Sequence, residues 1–459
     1  MEISSIVMQG ENFAALECSV QVDTYGKECL EQDKYLFRYR NTIPVPPLSM
    51  VDDLLCISKC GIDSVLLNAF INLKTSTKKV QFGEDKCFKM HVGTNKTICP
   101  DLKIDKWSTV NVDKDCNSES SIQDVYDGKY TIEEKKNERY LGDKIDCSGK
   151  NHKNIENRIK KGHQKIKQIL DYLDDICFGK YHFIIAKILR ETIFLNSILL
   201  NSEAWYSLDK KNIEDLERVD NILLKRILEL PTSTPSAFLH LELGTTPIRF
   251  VLMVRRLNFL QYILKEDGNT LIHSFLVAQM ENTLRGDWWE LIQQDIADLQ
   301  MDLSLSEIKM MSQESFKEKV KAHINEAAFK WLKNEQQSLR KIQDLKYSSL
   351  SIQNYLKSEY LSVQQRKFLS HLRGKMIKVR KNYSKMYESL FCPLCSSKGY
   401  LLEESQEHLL DCVSLSNNSE LDTGTNYSDI FSDIPEKYEN ITVLLQQKLR
   451  LRDKLLRDT

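Results

Sequence analysis

Glycine and proline are scarce, 16 and 9 in 459 residues, which excludes collagen-like and low-complexity chains and fits a helix-rich folded protein. An excess of charge of one sign is also lacking. Lysine and arginine (64) balance aspartate and glutamate (65), so any nucleic-acid surface has to be a local patch. No uncharged apolar run approaches the roughly 20 residues of a membrane span; the longest, Thr192 to Ser202, is broken by asparagines. Met1 to Ser19 carries Glu2 and Glu11 and no basic stretch ahead of an apolar one, so it does not read as a secretory signal. Twelve thinly spread cysteines exclude a small disulfide scaffold and point to a reducing compartment inside the cell, nucleus or cytoplasm. Neither a phosphate-cradling Gly-rich loop nor a Gly-x-Ser-x-Gly elbow is present, which removes weight from ATPase and hydrolase readings.

What is there divides into four stretches of an α+β chain. Residues 1–148 mix short β-type runs with turn signals, and Ile43 to Ser58 reads as a β-hairpin. Ile98 to Asn137 is polar and shows no sustained period, which predicts a long insertion or loop. Residues 149–246 are helical: Leu216, Val219, Leu223, Ile227 and Leu230 recur every three or four positions before Pro231 and Pro235 end the run. Residues 247–386 predict two more long helices, Pro247 to Leu264 and Ser312 to Leu345. Residues 387–459 hold a Cys/His cluster, a polar linker from Val413 to Ser432 and a final amphipathic helix, Ile441 to Arg457.

Charge is informative in windows. Between Arg340 and Lys385 twelve lysines and arginines face only Asp344 and Glu359, an excess of ten, with Tyr347, Tyr355, Tyr360, Phe368 and Tyr383 interleaved. A solvated helix face would have this composition; so would a surface that tracks phosphates and stacks bases. The second reading makes Arg373, Lys375, Lys378, Arg380 and Lys381 candidate nucleic-acid contacts. Lys150 to Lys167 forms a weaker basic window, with seven cations against Glu156.

Cys392-x2-Cys395-x12-His408-x3-Cys412 has the spacing of a tetrahedral Zn²⁺ site. The Cys-x2-Cys turn aims two thiolates at one ion, and His408 and Cys412, four apart, share a helix face. Four protein ligands leave no open position, so the zinc is structural. His91, His152, His163 and His182 have no Cys or carboxylate partner at ligand spacing and read as structural or exposed, and Trp288-Trp289 reads as packing.

Asp52 and Asp53 sit at the tip between two apolar β-type runs, where adjacent carboxylates reach one hard cation such as Mg²⁺. Taken with their surroundings, these residues resemble the reverse transcriptases of non-LTR (LINE-like) retrotransposons. Met50-Val51-Asp52-Asp53 looks like the family's catalytic hairpin, and Asn72 to Lys74 with Phe82 to Cys87 looks like the Lys-bearing segment after it. Gln9-Gly10-Glu11 resembles the motif bordering the incoming nucleotide, and Arg139-Tyr140-Leu141-Gly142-Asp143 the hairpin that grips the primer. Asn154-Ile155, Arg158, Lys161-Gly162, Asn201 to Trp205, Pro231 to Pro235, Glu242-Leu243-Gly244 and Arg255-Arg256-Leu257 look like the helical thumb and downstream segments. The Cys3His set agrees with the knuckle that many such proteins carry near the C-terminus.

The resemblance implies a partial palm over 1–148, an α-helical thumb over 149–246, a helical linker with a basic stretch over 247–386, and a zinc knuckle with a final helix over 387–459. It implies two-metal nucleotidyl transfer in the intact enzyme. Asp52 and Asp53 would hold Mg²⁺, Gln9, Gly10 and Lys74 would border the nucleotide, Tyr140, Leu141 and Gly142 would grip the primer, and RNA and DNA would be the partners. The motif bearing the third carboxylate lies upstream of Gln9 in the family, so the expectation is an N-terminally truncated polymerase, inactive alone. The alternative is a non-catalytic nucleic-acid-binding zinc-knuckle protein derived from a retroelement. No feature points to a membrane or to a particular protein partner.

Overall fold

The computed structural model describes residues 37–45, 48–50, 53–58, 61–78, 87–90, 92, 101–112, 121–140, 142–175, 179–206, 208–415 and 425–457. The first part carries β1 (Arg38–Tyr39), β2 (Ile43–Pro44), β3 (Leu48–Met50), β4 (Asp53–Leu55), α1 (Gly61–Lys78), β5 (Phe88–Lys89), β6 (Lys103–Val112), β7 (Ser121–Thr131), β8 (Glu133–Glu134), β9 (Asn137–Tyr140) and β10 (Asp143–Asp146). Helices follow: α2 (His152–Asp175), α3 (His182–Leu189), α4 (Leu195–Ile198), α5 (Lys210–Ile227), α6 (Ser236–Leu243), α7 (Ile248–Lys265) and α8 (Leu271–Glu281). Then come α9 (Trp288–Asp298), α10 (Leu305–Met310), α11 (Gln313–Gln337), α12 (Val363–Arg373), α13 (Pro393–Ser396), α14 (Gln406–Asp411) and α15 (Pro435–Leu455). The chain is mostly helical with a few small sheets, an α+β protein. Among the described residues no single helix is long and apolar enough to cross a membrane.

Two compact units form, one from residues 1–154, 205–207 and 262–291, the other from 155–204, 208–261 and 292–459. The first division thus falls at 154/155, and most of the three segments expected after residue 148 lie in the second unit. In the first unit the strands pair two by two. The hairpin expected within 43–58 is present as β3 against β4, with Met50 opposite Asp53. The insertion expected over 98–137 is instead largely an antiparallel pair, β6 and β7, running from Lys103↔Thr131 to Val112↔Ser121. Its β-branched and aromatic residues, Ile104, Trp107, Val110 and Val112 on one strand and Ile122, Val125 and Tyr130 on the other, keep no strict alternation, and the register shifts between Asp105 and Trp107, so no period announced the strands. Asn68 and Asn72 of α1 both donate to the Lys103 carbonyl, at 2.8 and 2.6 Å, and Leu67 is buried against Cys56, Phe70 and Ile71. The β1–β2 turn puts Arg40 at φ +51 and aims its guanidinium at the Ala278 carbonyl and Asp287, while Tyr39 packs on Phe275 with ring centroids 4.7 Å apart.

The second unit is built from helices whose apolar stripes follow the sequence period. On α5 Leu216, Val219, Leu223 and Ile227 are buried, and on α11 Phe316, Val320, Ile324, Ala328 and Leu332 repeat every fourth residue. The expected helix from Ser312 to Leu345 stops at Gln337. Buried Gln336 turns its side-chain amide onto the carbonyls of Ile342 and Leu345 at 2.6 and 2.7 Å, which stabilises the turn that follows. The final helix starts earlier than expected, at Pro435, whose fixed φ suits a first helical turn. Gly162 lets α2 approach its neighbours: a Cβ there would stand 3.0 Å from Ile198 Cγ2 and from Val219 Cγ1.

Buried ion pairs tie the helices. Arg190 meets Asp220 with two hydrogen bonds of 2.7 and 2.6 Å, both side chains 1% exposed, and adds the Thr246 carbonyl at 2.9 Å. Arg256 meets Asp295 in the same two-pronged way at 2.6 and 2.8 Å. Gly244 ends α6 in the left-handed region at φ +58, and a Cβ there would fall 2.2 Å from the Ser351 carbonyl carbon. Gly244→Ala therefore adds a left-handed strain and a backbone clash, and is expected to lower unfolding free energy by roughly 2–4 kcal/mol in a denaturant titration. A variant as stable as the parent would mean that the segment at Ser351 moves away at no cost.

Candidate metal centre

The Cys-x2-Cys segment is shaped by its own sequence. Pro393 occupies the first position of the one-turn α13, and Cys392, extended at φ −61 and ψ 119, precedes it. Gly399, at φ +85, turns the chain back so that the Cys392 amide donates to the Leu402 carbonyl at 2.7 Å and the Glu404 amide to the Leu390 carbonyl at 2.8 Å. Phe391 and Glu403 form the antiparallel bridge between the two arms. Ser405 then opens α14, its hydroxyl accepting from the His408 amide at 3.1 Å. His408 stands in the first turn, and Cys412 follows the last, where the backbone has left the helix at ψ 113.

These local structures bring the four expected ligands together. One ligand atom from each of Cys392, Cys395, His408 and Cys412 lies within 4.8 Å of all the others. Cys395 Sγ is 3.5 Å from Cys412 Sγ and 3.4 Å from His408 Nε2. Tetrahedral zinc with bonds of about 2.3 Å to sulfur and about 2.0 Å to nitrogen needs edges of roughly 3.5–3.8 Å, so the donor set fits after small adjustments. All three cysteines are buried and His408 is half-buried, as a closed structural site requires. The hydrogen bond from Cys412 draws the Cys392 thiol down, and the same bond holds the Cys412 thiol up. A thiolate is the form in which cysteine takes a metal.

Beyond the ligands, polar anchors fasten the knuckle to the rest of the unit. Glu404, fully buried, accepts from Arg452 Nε of α15 at 2.7 Å and from the Arg380 amide at 3.0 Å. Lys448 of α15 donates to the Leu410 carbonyl. Gln406, also buried, donates to the Leu372 carbonyl at 2.9 Å and to the Tyr427 hydroxyl at 2.5 Å, and accepts from Asn382 at 3.0 Å. The stretch expected as a plain linker thus contributes structure: residues Tyr427–Phe431 form a short helix with Ile430 buried. The sequence reading missed these anchors, because glutamate and glutamine four and two residues ahead of a histidine look like any solvated surface.

The basic window is partly internal, which corrects its reading. Arg373, taken as a nucleic-acid contact, is buried: its Nε donates to Glu242 at 3.0 Å and an amino group to the Ile430 carbonyl at 3.2 Å. Glu242 also accepts from the hydroxyls of Tyr347 at 2.7 Å and Tyr355 at 2.6 Å, so two of the presumed stacking tyrosines are core residues. Burial alone would depress Arg373, but the Glu242 carboxylate overcomes it and holds the guanidinium above its ordinary range. Burial and the same carboxylate push both tyrosines well up. Arg366 is buried on the carbonyls of Gly179, Lys180 and Leu356, and Lys367 pairs with Glu229 at 2.7 Å. On the surface remain Arg340, Lys341, Lys346, Lys357, Lys378, Lys381 and Lys385, with Lys375 and Arg380 half-exposed. Arg380 stacks over Tyr387 at 5.5 Å, and Lys381 meets Glu403 at 3.0 Å.

Of the expected polymerase residues, Gln9, Gly10, Asp52 and Leu141 lie outside the described residues, as do the side chains of Asp53 and Lys74. The backbone of Asp53 opens β4 and that of Lys74 belongs to α1. Tyr140 and Gly142 flank a tight turn between β9 and β10, where Tyr140 is opposite Asp143 and Gly142 adopts φ +86. Asn154 tethers that hairpin, donating to Asp143 at 3.0 Å and accepting from the Lys144 amide at 3.3 Å. Comparisons with protein families, curated proteins and solved structures find no match for this chain.

Proposed function

We propose that this chain is a nucleic-acid-binding portion of a reverse transcriptase of the non-LTR retrotransposon type, with a structural zinc ion organising its C-terminal grip. The observation that carries the reading is the Cys3His cluster together with what hangs on it. Backbone amides of Arg380 and Lys381 donate to the side chain and carbonyl of Glu404, between the two halves of the ligand set, so ordering the knuckle orders the cationic stretch 378–385. Lys378, Lys381 and Lys385 are exposed, Lys381 paired with Glu403 at 3.0 Å. Exposed Tyr387, under Arg380 at 5.5 Å, and Phe391 follow them in the chain, a composition suited to phosphate contact with stacking.

The polymerase part of the reading is supported by the hairpins at the motif positions, β3–β4 beside Asp52 and β9–β10 at Tyr140 and Gly142. In that reading Asp52 and Asp53 hold Mg²⁺, which would supply the charge neutralisation of nucleotidyl transfer. The rival reading keeps the binding surface and drops catalysis altogether.

Binding to RNA or single-stranded DNA is expected to be salt-sensitive and poorly sequence-specific. Log affinity should fall linearly with log salt by about 0.7 per phosphate contact, so neutralising Lys378, Lys381 and Lys385 together should flatten the slope by roughly two units. Filter binding at several salt concentrations measures this. An unchanged slope would return the stretch to a solvated face.

A further inference from the structure

The helical unit contains a cavity of about 340 Å³ whose lining combines aliphatic side chains of α2 and of the Ile227–Leu230 stretch with His182, Lys225, Arg226, Lys367, Asp174 and Glu229. His182 opens α3 and is only 5% exposed, yet among the described residues its ring makes an edge contact with Phe183 and no hydrogen bond. Its ring nitrogens are not sealed among the buried unpartnered atoms, so they are reachable from the cavity, where an entering group can meet a donor and an acceptor. The cations are unevenly matched. Lys367 pairs with Glu229 at 2.7 Å, and the Glu229 carbonyl is met by His371 Nε2 at 3.0 Å. Lys225 reaches the Thr232 carbonyl, and Arg226 is exposed with no side-chain partner among the described residues. With Glu229 paired to Lys367, Lys225 and Arg226 against Asp174 leave the lining with a formal charge of one positive, Arg226 standing exposed at the mouth. Burial and the charges of Lys367 and Arg366 hold His182 neutral, down to about 4, which preserves its ring N–H as a donor.

We propose that this cavity is a phosphate-binding site, in which Arg226 and Lys225 neutralise the group at the mouth, His182 donates to it from within, and the aliphatic wall takes the carbon skeleton of a phosphate ester. The proposal goes beyond the knuckle-centred reading and does not use the knuckle's residues. A free nucleotide and a backbone phosphate of a bound strand present the same chemistry.

The test is calorimetry of the full chain with inorganic phosphate at constant ionic strength, beside NMR titration of the His182 ring. Saturable binding is expected, weakened tenfold or more by Lys225→Gln with Arg226→Gln, and bound phosphate should move the His182 titration upward because an anion offsets Lys367 and Arg366. Arg226→Gln alone, at an exposed position, serves if the double variant folds poorly; it should weaken binding at least threefold. Absence of saturable heat, equal binding by the variants, or an unmoved His182 titration would overturn the site. Competition assigns the source: a short RNA that displaces phosphate identifies a strand phosphate, whereas adenosine monophosphate binding that RNA leaves untouched identifies a free ester. Failure of the salt-slope experiment at Lys378, Lys381 and Lys385 would leave these outcomes unaffected.

Discussion

Chain purified without chelator is expected to carry one Zn²⁺, and Cys392→Ser with Cys395→Ser to carry none. Structural zinc contributes apparent binding energies of roughly 10–16 kcal/mol to folding of small metal modules, more than any other single contribution to this region. Losing two thiolates leaves the other pair unable to close a site, so residues 388–415 should open to protease and α15 should lose the ordered partners of Arg452 and Lys448. Metal analysis and limited proteolysis read the two effects separately. Zinc content near zero in the parent, or the same in parent and variant, would dismiss the centre. The rest of the helical unit, with its own core in α2 to α7 and α10 to α12, should keep its unfolding transition. Nucleic-acid affinity should fall with an unaltered set of charges, which distinguishes disorder next to the basic stretch from removal of its cations.

Glu242→Ala carries the second large effect. The carboxylate is fully buried and collects Arg373 and the hydroxyls of Tyr347 and Tyr355. Its removal leaves a buried guanidinium without its counter-charge, a change that costs about 3–5 kcal/mol. Tyr355 still reaches Ser370 at 2.7 Å, whereas Tyr347 loses its hydrogen-bond acceptor. Replacing the whole cluster with apolar residues of matching volume should recover much of the loss, because the desolvation of both charges is then avoided. Denaturant unfolding of the single and combined variants measures both, and a mild effect of Glu242→Ala would show that water reaches Arg373 when the carboxylate is gone.

The pattern of successes and misses follows from how local each signal is. The helices were legible because a buried stripe at three- and four-residue spacing needs no partner to be recognised: α5 and α7 lie close to the positions that periodicity assigns. The β3–β4 hairpin was legible for the same reason, two apolar runs around a polar tip. The β6–β7 pair was not, since its strands are largely polar, their apolar residues do not alternate, and the register shifts between Asp105 and Trp107. The Cys3His set was legible because metal coordination imposes ligand identity and short spacing on the sequence itself.

Charge was the signal that the sequence alone could not interpret. Twelve cations between Arg340 and Lys385 are countable in one dimension, but whether each faces water or pairs with a carboxylate depends on residues more than a hundred positions away, as with Arg373 and Glu242 or Lys367 and Glu229. Burying a guanidinium is unfavourable unless a partner meets it, and only folding decides where the partner stands. The same holds for His182, which spacing classed as structural or exposed and which packing left buried and unpartnered at a cavity. The sequence by itself determined the helical periods, the β3–β4 hairpin and the four residues of the Cys3His cluster, all set by interactions within a few residues. Tertiary structure alone decided which charges form the core, which remain on the surface, and how the knuckle is tied to the final helix, because those outcomes depend on long-range pairing in a low-dielectric interior.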